Sequence, residues 1–324
     1  MDADPVPHAS LFLLLAFSSR QFAAIAGDVY PEIYSNFVFK LTPVNLDIGF
    51  MLSYSCLVTT DFYHRLLIAT MMPPLMLVAL VGSYYSGKHR NRSCEVAISV
   101  VRHRHQSAAL LLAFWVYSSV SYTIFQTFSC DDLDDGKTYL RADYSLECST
   151  ARHNTFKTYS LVMACVYPVG IPAVYAWCLA RNRRDLVRPD RETLPHLQSL
   201  NSLWAAYKPS RYFFEVVECT RRIALTGIAA FVLPNSTAQI SIVLLVAVAF
   251  VFITESIGPF QKASDANLFR WGNGVIVGSL YVAFLLKVDL ADESEQSIRQ
   301  FSGVLIAANV VMIVAVLVQT ILLV

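Results

Sequence analysis

Carboxylates and a few other ionisable side chains are the residues of this sequence best placed to do chemistry, and they occur in two patterns. In the first, Asp131, Asp132, Asp134 and Asp135 crowd into a short stretch that ends on Gly136. An EF-hand calcium loop needs oxygen ligands at its first, third and fifth positions, glycine at the sixth and glutamate at the twelfth. Anchoring on Gly136 puts Leu133 third and Ala142 twelfth, so an EF-hand is excluded. Clustered carboxylates can still concentrate cations at a pore mouth by focusing the local field. A solvated turn is the plain alternative.

The second pattern is ionisable residues in or beside long apolar stretches: Arg20, Glu255 and Asp265. A charge at a bilayer centre costs about 2.5–3.5 kcal/mol on insertion scales, so such a residue turns toward water or a partner. Arg20, Glu255 and Asp265 therefore join the acidic cluster as ion-pathway candidates. Lys287 and Asp289 lie near the end of their stretch, where snorkelling explains them. Glu215 and Glu218 stand one turn ahead of Arg221 and Arg222, a spacing that reads as helix-surface pairing, Glu218 with Arg222.

Enzyme signatures are missing from the sequence: it holds no HExxH, no GxSxG and no P-loop. His103 and His105 alternate with Arg102 and Arg104, a basic strip rather than a metal site. No catalytic residue, metal or cofactor is expected. Cys130 and Cys148 bracket the acidic segment, and on the oxidising side assigned below they are expected to form a disulfide. Closing a loop of that size contributes about 3 kcal/mol. Cys165 and Cys178 read as packing thiols, Cys94 and Cys219 as reduced ones, and Cys56 has no evident partner.

Tyr167-Pro168-Val169-Gly170-Ile171-Pro172 must kink any helix that contains it, because proline lacks a backbone donor and clashes one turn back. Pro168, Gly170 and Pro172 then form either a static kink or a gating hinge. Gly274 and Gly278 make a GxxxG pair that lets helix backbones approach closely in lipid. No strand–turn–helix context makes them a dinucleotide fingerprint.

The elements that must carry these residues are membrane helices. Of the 324 residues, 55% are hydrophobic and only 15% charged, against about a quarter charged in soluble chains; mean hydropathy is +0.48. The apolar residues come in blocks near the ~20 that cross a bilayer core. They are Ser10–Tyr30, Leu66–Ser86, Ala108–Phe128, Phe156–Arg181, Ile223–Pro234, Ala238–Ile257, Trp271–Leu290 and Phe301–Val324. Backbone groups cannot stay unpaired in lipid, so the blocks should be helices. Ile223–Pro234 is short and borrows length from Tyr212–Arg222. Asn36–Thr60, interrupted by Lys40, Pro43 and Asp47, reads as interfacial or re-entrant. Ser10–Tyr30 reads as a span rather than a secretory leader, because Asp2 and Asp4 precede it without Lys or Arg.

Charge orients the bundle. The segment after Leu66–Ser86 carries Lys88, Arg90, Arg92, Arg102 and Arg104, and the longest loop is basic from Arg181 to Arg222. Ser129–Thr155 and the segment around Asp289, Asp292, Glu293 and Glu295 are acidic. Basic loops stay cytoplasmic, which places the acidic ones outside and both termini in the cytoplasm. The net charge of +1 gives no reason to expect nucleic-acid binding. Sequons occur at Asn91, on the cytoplasmic side, and at Asn235, in a turn too close to the bilayer.

Several strings across the chain resemble a transient receptor potential (TRP)-like family of microbial eukaryotes with a fungal-type TRP C-terminal domain. They are Val44-Asn45-Leu46-Asp47, Asp61-Phe62-Tyr63-His64-Arg65-Leu66-Leu67, Asp135-Gly136 with Tyr139–Ser145 and Cys148, and Tyr167–Pro172. Glu215-Val216-Val217-Glu218 with Arg221-Arg222, Leu225-Thr226-Gly227, Gly258-Pro259-Phe260 and Leu285–Leu290 continue the likeness. The resemblance implies a multi-pass membrane protein acting as a cation channel. It supplies no selectivity filter residue by residue, and no TRP-box helix follows the final apolar block.

The expectation is thus an all-α polytopic bundle of about eight spans, with an interfacial segment after the first. Residues 1–181 would form a peripheral bundle, 182–222 a basic cytoplasmic linker with an amphipathic helix, and 223–324 the conducting part. The partners would be the lipid bilayer of a plasma membrane or endomembrane, calcium, potassium or sodium ions, and further copies of the chain. The rival readings are a secondary transporter or lipid-handling protein, and a non-conducting structural or signalling subunit.

Overall fold

The computed structural model of the protein describes residues 32–41, 61–90, 94–133, 136–231, 236–288 and 295–321. Arg20, Asp134, Asp135, Cys56, Asp289 and both sequons lie outside the described residues, as do Ser10–Tyr30 and most of Asn36–Thr60. The long helices are α1 (Glu32–Leu41), α2 (Phe62–Arg90), α3 (Glu95–Gln126), α4 (Ala151–Arg181), α5 (Phe214–Phe231), α6 (Thr237–Ile257), α7 (Ala263–Lys287) and α8 (Glu295–Ile321). Among the described residues, α2, α3, α4, α6 and α7 are long and apolar enough to cross a membrane, and α8 contains a shorter apolar stretch, Ser302–Val311.

Helix ends follow local chemistry. The Thr150 hydroxyl accepts from His153 N at 3.2 Å to open α4, and Ser236 accepts from Gln239 N at 3.1 Å to open α6, each satisfying an orphan donor of the first turn. α6 stops at Gly258, whose φ of 53° is open to glycine at little cost and whose N–H reaches Thr254 O at 2.9 Å. α3 starts about a dozen residues before the apolar block, so Arg102 and Arg104 are helical rather than in a loop. No proline or glycine stands between Cys94 and Ala108 to stop it. For the same reason the short Ile223 block merges with the residues before it into α5.

The acidic segment departs from an all-α plan. It folds as a three-stranded antiparallel sheet of β1 (Cys130–Asp132), β2 (Thr138–Leu140) and β3 (Asp143–Glu147). Cys130 pairs with Leu140 and Asp132 with Thr138. The β1–β2 turn uses Gly136 at φ 75°. Strands this short carry almost no period-2 signal, which is why the sequence does not announce them.

The chain divides into two compact units, and α1 groups with the carboxy-terminal helices, from Thr220 onward. In that unit Tyr34 of α1 joins Leu225, Ile240, Val243, Ile276, Leu280, Ala283 and Leu305 in one apolar core. The other unit, up to Cys219, packs Phe62, Tyr63 and Leu66 against Val116, Val120, Ile124, Leu140 and Tyr167. It also contains the segment after α4, a run of short helical turns. Arg191, 2% exposed, staples those turns: it donates to Leu186 O and Tyr207 O and stacks 4.5 Å over Trp204. Burial pushes its guanidinium pKa down.

Candidate functional site

At the strand-bearing end of the unit up to Cys219, charges are tied to named partners. Asp61 caps α2 through His64 N (3.1 Å) and takes Arg152 Nη2 at 2.7 Å. Asp143, from β3, accepts from Phe62 N at 3.0 Å and so caps the same helix from outside its own sequence. Arg65 donates to Ala142 O at 3.3 Å. Asp131 is gripped by Arg141, whose Nε lies 2.9 Å from Oδ2, and by the Tyr144 hydroxyl, also at 2.9 Å. The Arg141 guanidinium, outweighing partial burial, holds the Asp131 carboxyl below the usual carboxylate range. The sulfurs of Cys130 and Cys148 lie 1.96 Å apart, and His153 sits beside them.

Of the cation-gathering candidates, Asp131 is therefore already engaged, Asp132 is exposed, and Asp134 and Asp135 lie outside the described residues. Four acidic side chains in sequence are not four free acidic side chains in space.

The proline run of α4 is accommodated without a break. Cys165–Val169 adopts a π turn inside a helix that continues to Arg181, a common way to absorb a missing donor. A Cβ at Gly170 would meet Cys165 O at 3.1 Å, so the glycine admits the backbone there. A second proline pair, Pro73-Pro74 in α2, carries the same problem. Pro74 has no N–H to give Thr70 O one turn back, and the Tyr167 hydroxyl supplies the missing donor at 2.7 Å. Tyr159 Oη reaches Thr70 Oγ1 at 2.6 Å. Pro168, Gly170 and Pro172 thus belong to a pair of proline-modified helices joined through Tyr167.

The carboxy-terminal unit is different in kind. Within its apolar core stand three buried neutral polar side chains, Tyr34 (0% exposed), Ser279 (0%) and Asn309 (3%), from α1, α7 and α8. Asn309 Nδ2 donates to Tyr34 Oη at 3.3 Å and to Leu305 O at 2.8 Å. Gln239, Asn273 and Ser302 are buried in the same unit. Ser302, Leu305 and Asn309 share one face of α8 by their spacing of three and four.

Asp265 is buried in the first turn of α7, whereas Glu255 is exposed and forms a two-pronged pair with exposed Arg270 at 2.8 and 3.0 Å. Gly274 and Gly278 meet no close helix: a Cβ at either would touch nothing within 4 Å among the described residues.

Sequence reasoning undervalued α5. Glu215, Glu218, Arg221 and Arg222 are all buried, at 2–3% exposure, rather than paired on an open helix surface. Glu215 accepts from the Tyr207 hydroxyl at 2.8 Å, and Arg221 lies 5.8 Å from the centre of the Phe269 ring. A signal was there: Phe214, Glu218, Arg221 and Leu225 fall on one helical stripe, so the charges share a face with the apolar anchors. Comparison of the chain with protein-family models, with curated proteins and with solved structures gives no match.

Proposed function

We propose that this chain is a TRP-like cation channel or channel-like subunit, with the unit that joins α1 to the chain from Thr220 onward as its conducting part. The observation that carries the reading is the Tyr34–Ser279–Asn309 cluster. Polar groups held inside an apolar helical core are costly in a bilayer, and there they mark pathways or glue helices. This cluster presents hydroxyl and amide oxygens, which suit a cation that keeps part of its water. Buried Asp265 adds a carboxyl group in the same unit, and the Glu255–Arg270 pair serves as a charged rim. In this proposal the chain crosses the membrane about eight times, both termini are cytoplasmic, and the Cys130–Cys148 pair is an oxidised bridge on the outer side. Exposed Asp132, with Asp134 and Asp135, faces the incoming ion, and several copies assemble. The support for family and topology is the sequence resemblance and the alternation of basic and acidic segments.

The test is ion flux from purified protein in liposomes, comparing potassium, sodium and calcium, with Asn309→Leu and Glu255→Gln alongside. Flux that falls with Asn309→Leu while the variant elutes and melts like the parent supports the pathway. Unaltered flux from a well-folded Asn309→Leu variant removes the cluster from it.

A secondary transporter is the second reading, favoured by the coupled proline sites in α2 and α4. Transporters place substrate at interrupted helices near the midplane. Solute-gradient-driven uptake without ion current would select this alternative.

A further inference from the structure

The geometry points to a redox-gated soft-metal site formed by Cys130, Cys148 and His153: when the cysteine pair is reduced, the two thiolates and the imidazole bind a zinc-class d10 cation. Three ligand atoms from separate elements converge here. Cys130 opens β1, Cys148 follows β3, and His153 lies in the first turn of α4, yet their ligand atoms all lie within 4.8 Å of one another. His153 Nε2 is 3.9 Å from Cys130 Sγ. Two sulfurs and one nitrogen are a donor set suited to zinc, cadmium or cuprous ions. A three-residue set leaves the fourth tetrahedral position to water.

What distinguishes the cluster from a histidine that merely neighbours a bridge is its support. The ring's other nitrogen, Nδ1, lies 3.0 Å from the Tyr63 hydroxyl. With that hydroxyl accepting from Nδ1–H, the Nε2 lone pair is turned toward the sulfurs, as outer partners do for histidine ligands. Tyr63 is itself held, 2% exposed, stacked on Phe156 at 4.2 Å between ring centres and covered by Arg152 at 4.9 Å. His153 is 3% exposed and fixed by the Thr150 cap, while both cysteines keep partial access to solvent. The ligand and its orienting partner are buried, and the two cysteines are partly exposed.

The chemistry balances as two steps. A phosphine reductant and one water convert the bridge to two thiols, the phosphine leaving as its oxide; the bridge gains two electrons and two protons. The metal ion then displaces both thiol protons and forms two metal–sulfur bonds and one metal–nitrogen bond. The oxidised pair has no thiolate to offer, so metal capacity tracks the redox state of the bridge.

The experiment uses the full chain in detergent micelles, with Cys56, Cys94, Cys165, Cys178 and Cys219 replaced by serine so that only this pair can respond. Cadmium is titrated before and after phosphine reduction and followed by its thiolate charge-transfer absorption, and zinc affinity is read by competition with a chromophoric chelator. The expected result is one metal per chain after reduction and none before it. Cys148→Ser and His153→Gln should abolish stoichiometric binding. Tyr63→Phe, which keeps the packed ring and loses only the orienting hydroxyl, should weaken zinc about 10–100-fold. A reduced chain that loses its fold and regains it on adding zinc supports the same site. Binding of the same strength in His153→Gln or Tyr63→Phe, or no binding to the reduced chain at all, overturns it.

Discussion

The strand-bearing end of one unit and the polar core of the other solve opposite problems. At the first, full charges are plentiful and half-exposed, and each described one that matters has a specific partner: Asp61 with Arg152, Asp131 with Arg141, Asp143 with the start of α2. In the second, the polar groups of the cluster are neutral, buried to 3% exposure or less, and drawn from three helices. Charge can be used freely where water shares the cost of solvating it. Inside an apolar core only neutral groups, or charges with strong local compensation, persist at low cost. The contrast suggests that the first region is built to hold a shape and the second to offer a polar environment.

The largest expected effect tests the first half of that contrast. Leu140, at the end of β2, is fully buried in the core of its unit, and Leu140→Ala should destabilise that unit by about 2–5 kcal/mol. Thermal or denaturant unfolding in micelles would read it; a loss well under 1 kcal/mol would mean that the sheet is not anchored by this core.

Asn309→Leu sharpens the other half. Side-chain hydrogen bonds between membrane helices contribute roughly 0.6 kcal/mol on average, so stability should move by less than in Leu140→Ala. Ion flux should instead fall by at least about ten-fold, the equivalent of about 1.4 kcal/mol. A variant with unchanged flux and a much lower melting point would recast Asn309 as structural glue.

Acid should loosen the strand-bearing end. Because the folded Asp131 carboxyl titrates below its ordinary value, its stabilisation is complete above the unfolded pKa. It is lost as pH falls through the lower, folded one. Asp131→Asn should cost about 1–2 kcal/mol near neutrality and flatten the acid limb of a stability–pH curve. An acid limb identical in parent and variant would show that the Arg141 pair adds nothing.

The smallest effect is expected at Gly274→Ala, where the added methyl meets open space. Monomer stability should change by no more than about 0.5 kcal/mol. If copies of the chain pack on that face, size analysis in mild detergent should show weaker assembly; a large loss of monomer stability would contradict the open geometry.

Much of the architecture was legible because bilayer physics is coarse. Leu66–Ser86 and Ala238–Ile257 must be helices wherever they pack, since twenty or so apolar residues in lipid have few other ways to pair their backbone groups. The Tyr167–Pro172 run was legible as a distortion for the same local reason. Less could be read where outcome depends on company. The β-strands of 130–147 are too short for periodicity to reveal, and Glu215, Glu218, Arg221 and Arg222 look the same in sequence whether their face is wet or covered. The Gly274–Gly278 spacing does not say what packs opposite it: a Cβ at either glycine meets nothing within 4 Å among the described residues.

The sequence by itself determined the apolar helices, the places where proline must disturb them and the alternation of charge between them. Each of these follows from a property of a single segment in its solvent. Only the tertiary structure decided that Tyr167 repairs the carbonyl freed by Pro74, that Tyr34 of α1 joins Ser279 and Asn309, and that His153 stands beside Cys130 and Cys148. Those arrangements pair groups far apart along the chain, and nothing in a local stretch records the distance between two side chains until the helices carrying them have packed.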